Sequence, residues 1–257
     1  MSAVHVPTPA TFDEAHQTKV DALLKEFQKT EIEIMKHELK LTEPLFKKRA
    51  EIVADVKDFW FQALVNCMAT NVYIDDVDHE ALSHLSNITV ERDLEDPRAA
   101  SVTFEFRENP YFTNASLTKK FTLAPDAVSL EDDFNFVEHT VPEKTEIDWK
   151  SDDKNLVKLK PTVGGQSGDE EFEPGSFFST FFDNTNKEGG IGHTIIAEFY
   201  PKAIEFYMGE TDDADIYDME DFSDDDEEDE EDDDDDDREI DLEAEDERPS
   251  KKAKSNK

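Results

Sequence analysis

Between Phe12 and Glu43 the chain has neither Gly nor Pro, and its apolar residues recur at alternating intervals of four and three. Val20, Leu24, Phe27, Ile34, Leu41 and Leu45 fall on one stripe, interrupted by Glu31 and Glu38 and widened by Leu23, Met35 and Leu39. This is the period of a helical seam, not the two-residue alternation of a strand. Thr11-Phe12-Asp13-Glu14 predicts the start as a capping box, with Thr11 and Glu14 each satisfying a free amide. At 1.5 Å per residue such a helix extends roughly 45 to 50 Å. A small domain cannot cover so long a stripe, which favours pairing with a second copy through Val20, Leu24, Phe27, Ile34 and Leu41 over burial within one monomer. In a parallel pair Glu31 and Glu38 would each face their own copy, so their placement favours an antiparallel dimer. Pro44 predicts a kink or break, with a second amphipathic helix from Leu45 to about Val56.

The period then changes. Asp58-Phe59-Trp60-Phe61 leads into a short helix around Gln62 to Met68, and acids at Asp75, Asp76, Asp78 and Glu80 precede another at Ala81 to Leu85. From Ile88 onward apolar residues alternate, which predicts antiparallel strands at Ile88–Glu91, Ser101–Arg107 and Leu117–Leu123, with Glu146–Trp149 as a fourth. Residues 151 to 175 are polar and contain four of the eight glycines, so a mobile loop is expected. Two aromatic helices follow, Ser176–Phe182 and Gly192–Met208, the second interrupted at Pro201. Fold class is therefore α+β: residues 1–10 a flexible leader, 11–57 a long dimerisation helix kinked near Pro44, 58–209 a domain with a four-stranded antiparallel sheet and helices, and 210–257 a tail.

Composition changes the picture most in that tail. The chain carries 66 Asp and Glu against 27 Lys and Arg, a formal charge of -39. Residues 210–257 hold 27 acids and 6 bases, or -21, which leaves -18 on the body. The tail has too few apolar residues to order itself and is expected to be disordered. An acidic body repels nucleic acid and steers a basic protein toward itself, an attraction that salt weakens. Cys67 is the single cysteine, no stretch has the length of a membrane span, and the first residues lack an apolar signal segment, so an intracellular protein without membrane partners is expected.

Catalytic chemistry finds no support. The seven histidines, His5, His16, His37, His79, His84, His139 and His193, have no metal-ligand spacing, and the Asp75–Glu80 cluster lacks the Gly and late Glu of a calcium loop. Val163-Gly164-Gly165-Gln166-Ser167-Gly168 lacks the Lys of a phosphate-binding loop. No cofactor and no enzymatic activity are expected. Ser223, directly before Asp224, Asp225 and Asp226, is a candidate phosphorylation site. Lys251, Lys252 and Lys254 form a short basic cluster of the nuclear-import kind, which predicts a nuclear location with some shuttling to the cytoplasm.

Several strings together carry a family resemblance. They are Thr42-Glu43-Pro44-Leu45-Phe46-Lys47-Lys48-Arg49-Ala50-Glu51-Ile52 followed by Phe59-Trp60, then Phe104-Glu105-Phe106-Arg107-Glu108-Asn109-Pro110-Tyr111-Phe112, Thr145-Glu146-Ile147-Asp148-Trp149-Lys150, and Ser176-Phe177-Phe178-Ser179-Thr180-Phe181-Phe182. In this order, with Tyr200-Pro201 and the acidic tail, they resemble the nucleosome assembly protein family over roughly residues 12 to 240, and the short chain is most similar to its SET (template-activating factor) branch. The resemblance implies a homodimer of antiparallel long helices, each copy carrying an α/β "earmuff" domain. It implies a histone chaperone that assembles, disassembles or presents histones without ATP, with both core histone pairs as partners; the alternative is a regulatory interaction protein, such as a phosphatase inhibitor or a histone acetyltransferase cofactor, with a phosphatase or a histone acetyltransferase as partner. Candidate histone-binding acids are Asp183, Glu188, Glu198 and Glu205 on the body, and Glu210, Asp212, Asp213, Asp224, Asp225 and Asp226 in the tail; Glu198 aligns with a family acid just before the Tyr-Pro turn.

Overall fold

The computed structural model describes residues 10–125, 129, 134–163, 173–185 and 191–210. It opens with a helix of 40 residues, α1 (Glu14–Val53). Asp13, not Thr11, caps it: the Asp13 carboxylate accepts the His16 amide at 2.8 Å. A carboxylate there satisfies a free donor and also places negative charge at the positive end of the helix dipole. The helix runs through Pro44, so the expected second helix does not begin at Leu45. Proline removes one backbone bond, but Phe46, Arg49 and Val53 beyond it are anchored on the body, and the helix continues to Val53.

Two apolar faces run along α1. Ile32, Arg49 and Val53 are buried, and Met35, Leu39 and Phe46 are half-buried, on the face turned to the body. Met35 and Leu39 thus do not widen the outward seam; Arg92 Nη1 lies 3.6 Å from the Met35 sulfur instead. Leu24, Phe27, Ile34, Leu41, Leu45 and Ile52 occupy the other face at 55–64% exposure. Val20 is half-buried, and no residue from Glu14 to Glu31 is buried, so the first half of α1 stands clear of the body.

Asp58, at φ 55°, reverses the chain into α2 (Phe59–Asn66); aspartate is among the few side chains that tolerate this left-handed region. α3 (Met68–Asn71), a 3-10 turn (Asp76–Asp78) and α4 (His79–Leu82) lead to the sheet. β1 (Leu85–Glu91), β2 (Ala100–Phe106), β3 (Ser116–Leu123) and, after α5 (Phe136–His139), β4 (Thr140–Pro142) pair antiparallel in sequential order. Ile88 faces Phe104, which faces Leu117. The two-residue period turns Val102, Phe104, Phe106, Leu117 and Phe121 inward, and the Thr103 and Thr118 hydroxyls meet outside at 2.9 Å.

The expected fourth strand, Glu146–Trp149, does not join the sheet. Trp149 pairs with Phe112, and the Lys150 amide donates to the Tyr111 carbonyl at 2.8 Å. Its alternation serves to lay Ile147 and Trp149 on the flank of the core, while β4 already occupies the edge of β3. The described ends of the polar stretch are ordered by a 3-10 turn (Asp152–Lys154), α6 (Leu156–Leu159) and a bridge between Val163 and Glu173.

A π-helical segment (Phe178–Asp183), α7 (Ile191–Thr194), a second π-helical segment (Ile195–Phe199) and α8 (Ala203–Met208) complete the body. The interruption expected at Pro201 falls between the last two. Phe177, Phe178, Phe181 and Phe182 are fully buried, and Phe104 meets Phe177, Phe181 and Phe182 with ring centroids 5.3–5.8 Å apart. α7 approaches the sheet so closely that a Cβ on Gly192 would lie 2.2 Å from Cζ of Phe121.

Candidate functional site

Three buried charges hold the segments that carry the candidate acids. Asp78 is wholly buried; its carboxylate accepts the Ser176 hydroxyl at 2.5 Å and the amides of Phe177 and Asp75 at 2.7 and 2.9 Å. Burial pushes its pKa up, and the three donors offset part of that rise. The carboxylate thereby pins the start of the aromatic segment to the turn before α4. At the other end of that segment, Lys119 projects inward from β3 and donates to the carbonyls of Asn184 at 2.5 Å and Phe182 at 3.4 Å. Desolvation lowers its amine to about 8, against the pull of Asp183 and Glu143.

The third is Arg49. Its guanidinium lies 4.3 Å from the ring centroid of Tyr200, 4.7 Å from Phe46 and 5.2 Å from Trp60, and Nη1 donates to the carbonyl of Tyr200 and, at 3.5 Å, to that of Pro201. Burial lowers its pKa. Stacked faces and carbonyl acceptors together suit the planar guanidinium. The gripped turn separates Glu198 from Glu205, so α1 sets how the two acid-bearing elements meet.

Asp183 and Glu198 both lie in π-helical turns, marked by bonds from Asn184 N to Ser179 O at 3.0 Å and from Tyr200 N to Ile195 O at 2.9 Å. Such wide turns recur at functional sites. Their surroundings differ. Asp183 forms an ion pair with Lys144 at 2.7 Å; Glu198, Glu205 and Glu210 are exposed and engaged in no ion pair among the described residues. Glu205 and Glu210 are brought together, the Glu210 amide donating to the Glu205 carbonyl at 3.0 Å. Glu188, Asp212, Asp213, Ser223, Asp224, Asp225, Asp226, Lys251, Lys252 and Lys254 lie outside the described residues. Among the described residues no group of His, Cys, Asp or Glu could hold a metal, and no helix is long and apolar enough to cross a membrane.

Arg49, Asp78 and Lys119 are supports that sequence reasoning missed. Lys119 had a usable signal, since it alternates with Leu117 and Phe121 on the inward face of β3, and Arg49 falls on the Phe46–Val53 stripe. Asp78 gave none beyond membership of an acidic cluster.

Comparison with known proteins agrees with this architecture. A family model for the nucleosome assembly protein (NAP) family matches residues 54–210, the span that holds the sheet, the aromatic core and the exposed acids. The chain is 32% identical over 200 residues to Protein SET of Drosophila melanogaster, covering 76% of this chain and 71% of that one. It is also 32% identical over 265 residues to a probable nucleosome assembly protein of Dictyostelium discoideum, with 81% and 78% covered. Among solved structures it superposes on Ccp1 with a TM-score of 0.59 at 26% identity, covering 77% of this chain and 98% of that one. The fold of Vps75 also matches, with a TM-score of 0.57 at 20% identity over 76% and 98% of the two chains. The α+β body behind a long N-terminal helix is thus a shared architecture, and the chain belongs to the nucleosome assembly protein family.

Proposed function

We propose that this protein is a histone chaperone that works as a homodimer in the nucleus. It binds both core histone pairs through the exposed acids of the body and through the acidic tail, and it assembles or presents histones without ATP. The observation that carries this reading is the set Glu198, Glu205 and Glu210, exposed, without a paired cation among the described residues, and positioned by the Arg49-gripped turn. Carboxylates held in place and left unneutralised are suited to the Lys and Arg side chains with which histones bind DNA. The tail, with 14 consecutive acids from Asp224 to Asp237, supplies density of charge.

The test compares the full chain with its E198Q/E205Q/E210Q variant, each titrated against the two purified core histone pairs, one at a time, over a range of salt. Weaker binding and a shallower salt dependence are expected for the variant, because fewer ionic contacts form. Identical affinity and salt dependence for wild type and variant would remove the body from the binding surface. Failure of the wild-type chain to bind either pair would overturn the reading as a whole.

A further inference from the structure

α8 presents two unlike faces. Ala203 and Phe206 are buried on the side packed against α2, whereas Ile204 and Met208 remain 41% and 51% exposed. Residues four apart share a helix face, and Glu205 borders this one on the same outward arc. The helix is secured without its apolar pair: Asn66 Nδ2 donates to the carbonyls of Phe206 at 2.8 Å and Tyr207 at 3.4 Å, and Gly209, at φ 67°, ends the last turn. Ile204 and Met208 therefore sit on a preformed surface to whose folding they contribute little.

The surrounding charge selects the occupant. Exposed charged positions from 198 to 210 are Glu198, Glu205 and Glu210 against Lys202, and the sequence beyond Glu210 is acidic to Glu247. A second copy of this face would set Glu205 against Glu205, and the chain's own acidic segment would be repelled. A basic segment meets complementary charge and can place an apolar side chain between Ile204 and Met208. We propose that α8 is the apolar anchor of the binding surface, accepting an amphipathic basic segment whose exposed apolar side chain is flanked by Lys or Arg. This rests on the histone-binding reading and adds a contact that salt does not screen.

The experiment measures the affinity of full-length wild type, I204Q/M208Q and I204L/M208L for each of the two core histone pairs, at about 0.15 M and about 0.5 M salt. Gln and Leu are both good helix formers, and circular dichroism with thermal unfolding checks that each variant is folded. The Gln pair is expected to bind at least one histone pair about tenfold more weakly at both salt concentrations, while the Leu pair retains wild-type affinity. Affinity of the Gln pair within about twofold of wild type for both histone pairs at both salts would overturn the anchor. So would a change in the sedimenting mass of the free chain with histone affinity retained, since a second copy would then be the occupant. A wild-type chain that binds neither pair would fail the functional reading itself, whereas loss in E198Q/E205Q/E210Q alone would leave that reading standing and remove the anchor.

Discussion

Arg49 donates to the main-chain carbonyl of Tyr200, 151 residues further along the chain, from the centre of a cage formed by Phe46, Trp60 and Tyr200. The contact joins the long helix to the turn between the segments carrying Glu198 and Glu205. A buried cation is costly unless its donors are used; here Nη1 reaches two carbonyls and three aromatic faces flank the plane, while Nε is buried without a hydrogen-bond partner among the described residues. R49M keeps much of the apolar bulk but strips both carbonyls of their donor. We expect a loss of about 2 kcal/mol, read as a fall of roughly 4 to 8 °C in melting temperature. R49K keeps the charge but not the stacked plane, and should fall between wild type and R49M. A melting temperature unchanged in R49M would show that the cage does not hold the helix to the body.

Lys119 makes stability depend on pH in a direction opposite to that of most buried carboxylates. Its folded-state value is about 8, below the ordinary 10.5. The unfolded chain therefore holds more protons than the folded chain between those two values, and stability rises with pH across that window. Below about pH 8 the amine is charged in both states and its penalty is constant. Between pH 7 and 10 wild type should gain about 2 kcal/mol relative to K119M. Denaturant titrations at several pH values measure the difference. A gap between the two proteins that does not change with pH would show that the amine is not desolvated.

How much of this was legible in the sequence depends on the range of the interaction responsible. The long helix, the three central strands and the aromatic segment were readable because each imprints a local period: three and four in α1, two in β2 and β3, and the closely spaced phenylalanines of 177–182. Misreadings arose where distant contacts overrode a local signal. Pro44 reads as a kink or break followed by a second helix, yet the helix is continuous from Glu14 to Val53, with Phe46, Arg49 and Val53 anchored beyond the proline. Glu146–Trp149 reads as a strand, yet its alternation serves the turn after β2 rather than the sheet. Met35 and Leu39 read as seam residues because periodicity reports apolar faces without saying which partner covers them. For the site, Glu198 and Glu205 could be named from sequence, but the pairing of Asp183 with Lys144 could not, since its partner lies across the fold.

The seam offers a decisive test of assembly. Leu24, Phe27, Ile34, Leu41, Leu45 and Ile52 form a single exposed line on α1, separate from the face that packs on the body. In an antiparallel pair the free first half of one helix lies along the second half of the other, so Leu24 and Phe27 approach the region of Leu45 and Ile52, and Ile34 lies near the centre. Glu31 then faces the stretch around Leu41 rather than its own copy, which avoids stacking like charges. Burying such a line contributes about 1.5–3 kcal/mol for each fully covered side chain, ample for a stable dimer once association costs are met. L24D/F27D/I34D places three carboxylates on that line in each copy. Analytical ultracentrifugation should show the wild type at twice the mass of the variant, with the helical signal of the variant reduced because half of α1 is left without support. A variant that sediments at the wild-type dimer mass would show that dimerisation uses another surface. A wild type already at monomer mass would remove the dimer and leave the exposed line of α1 without its proposed partner.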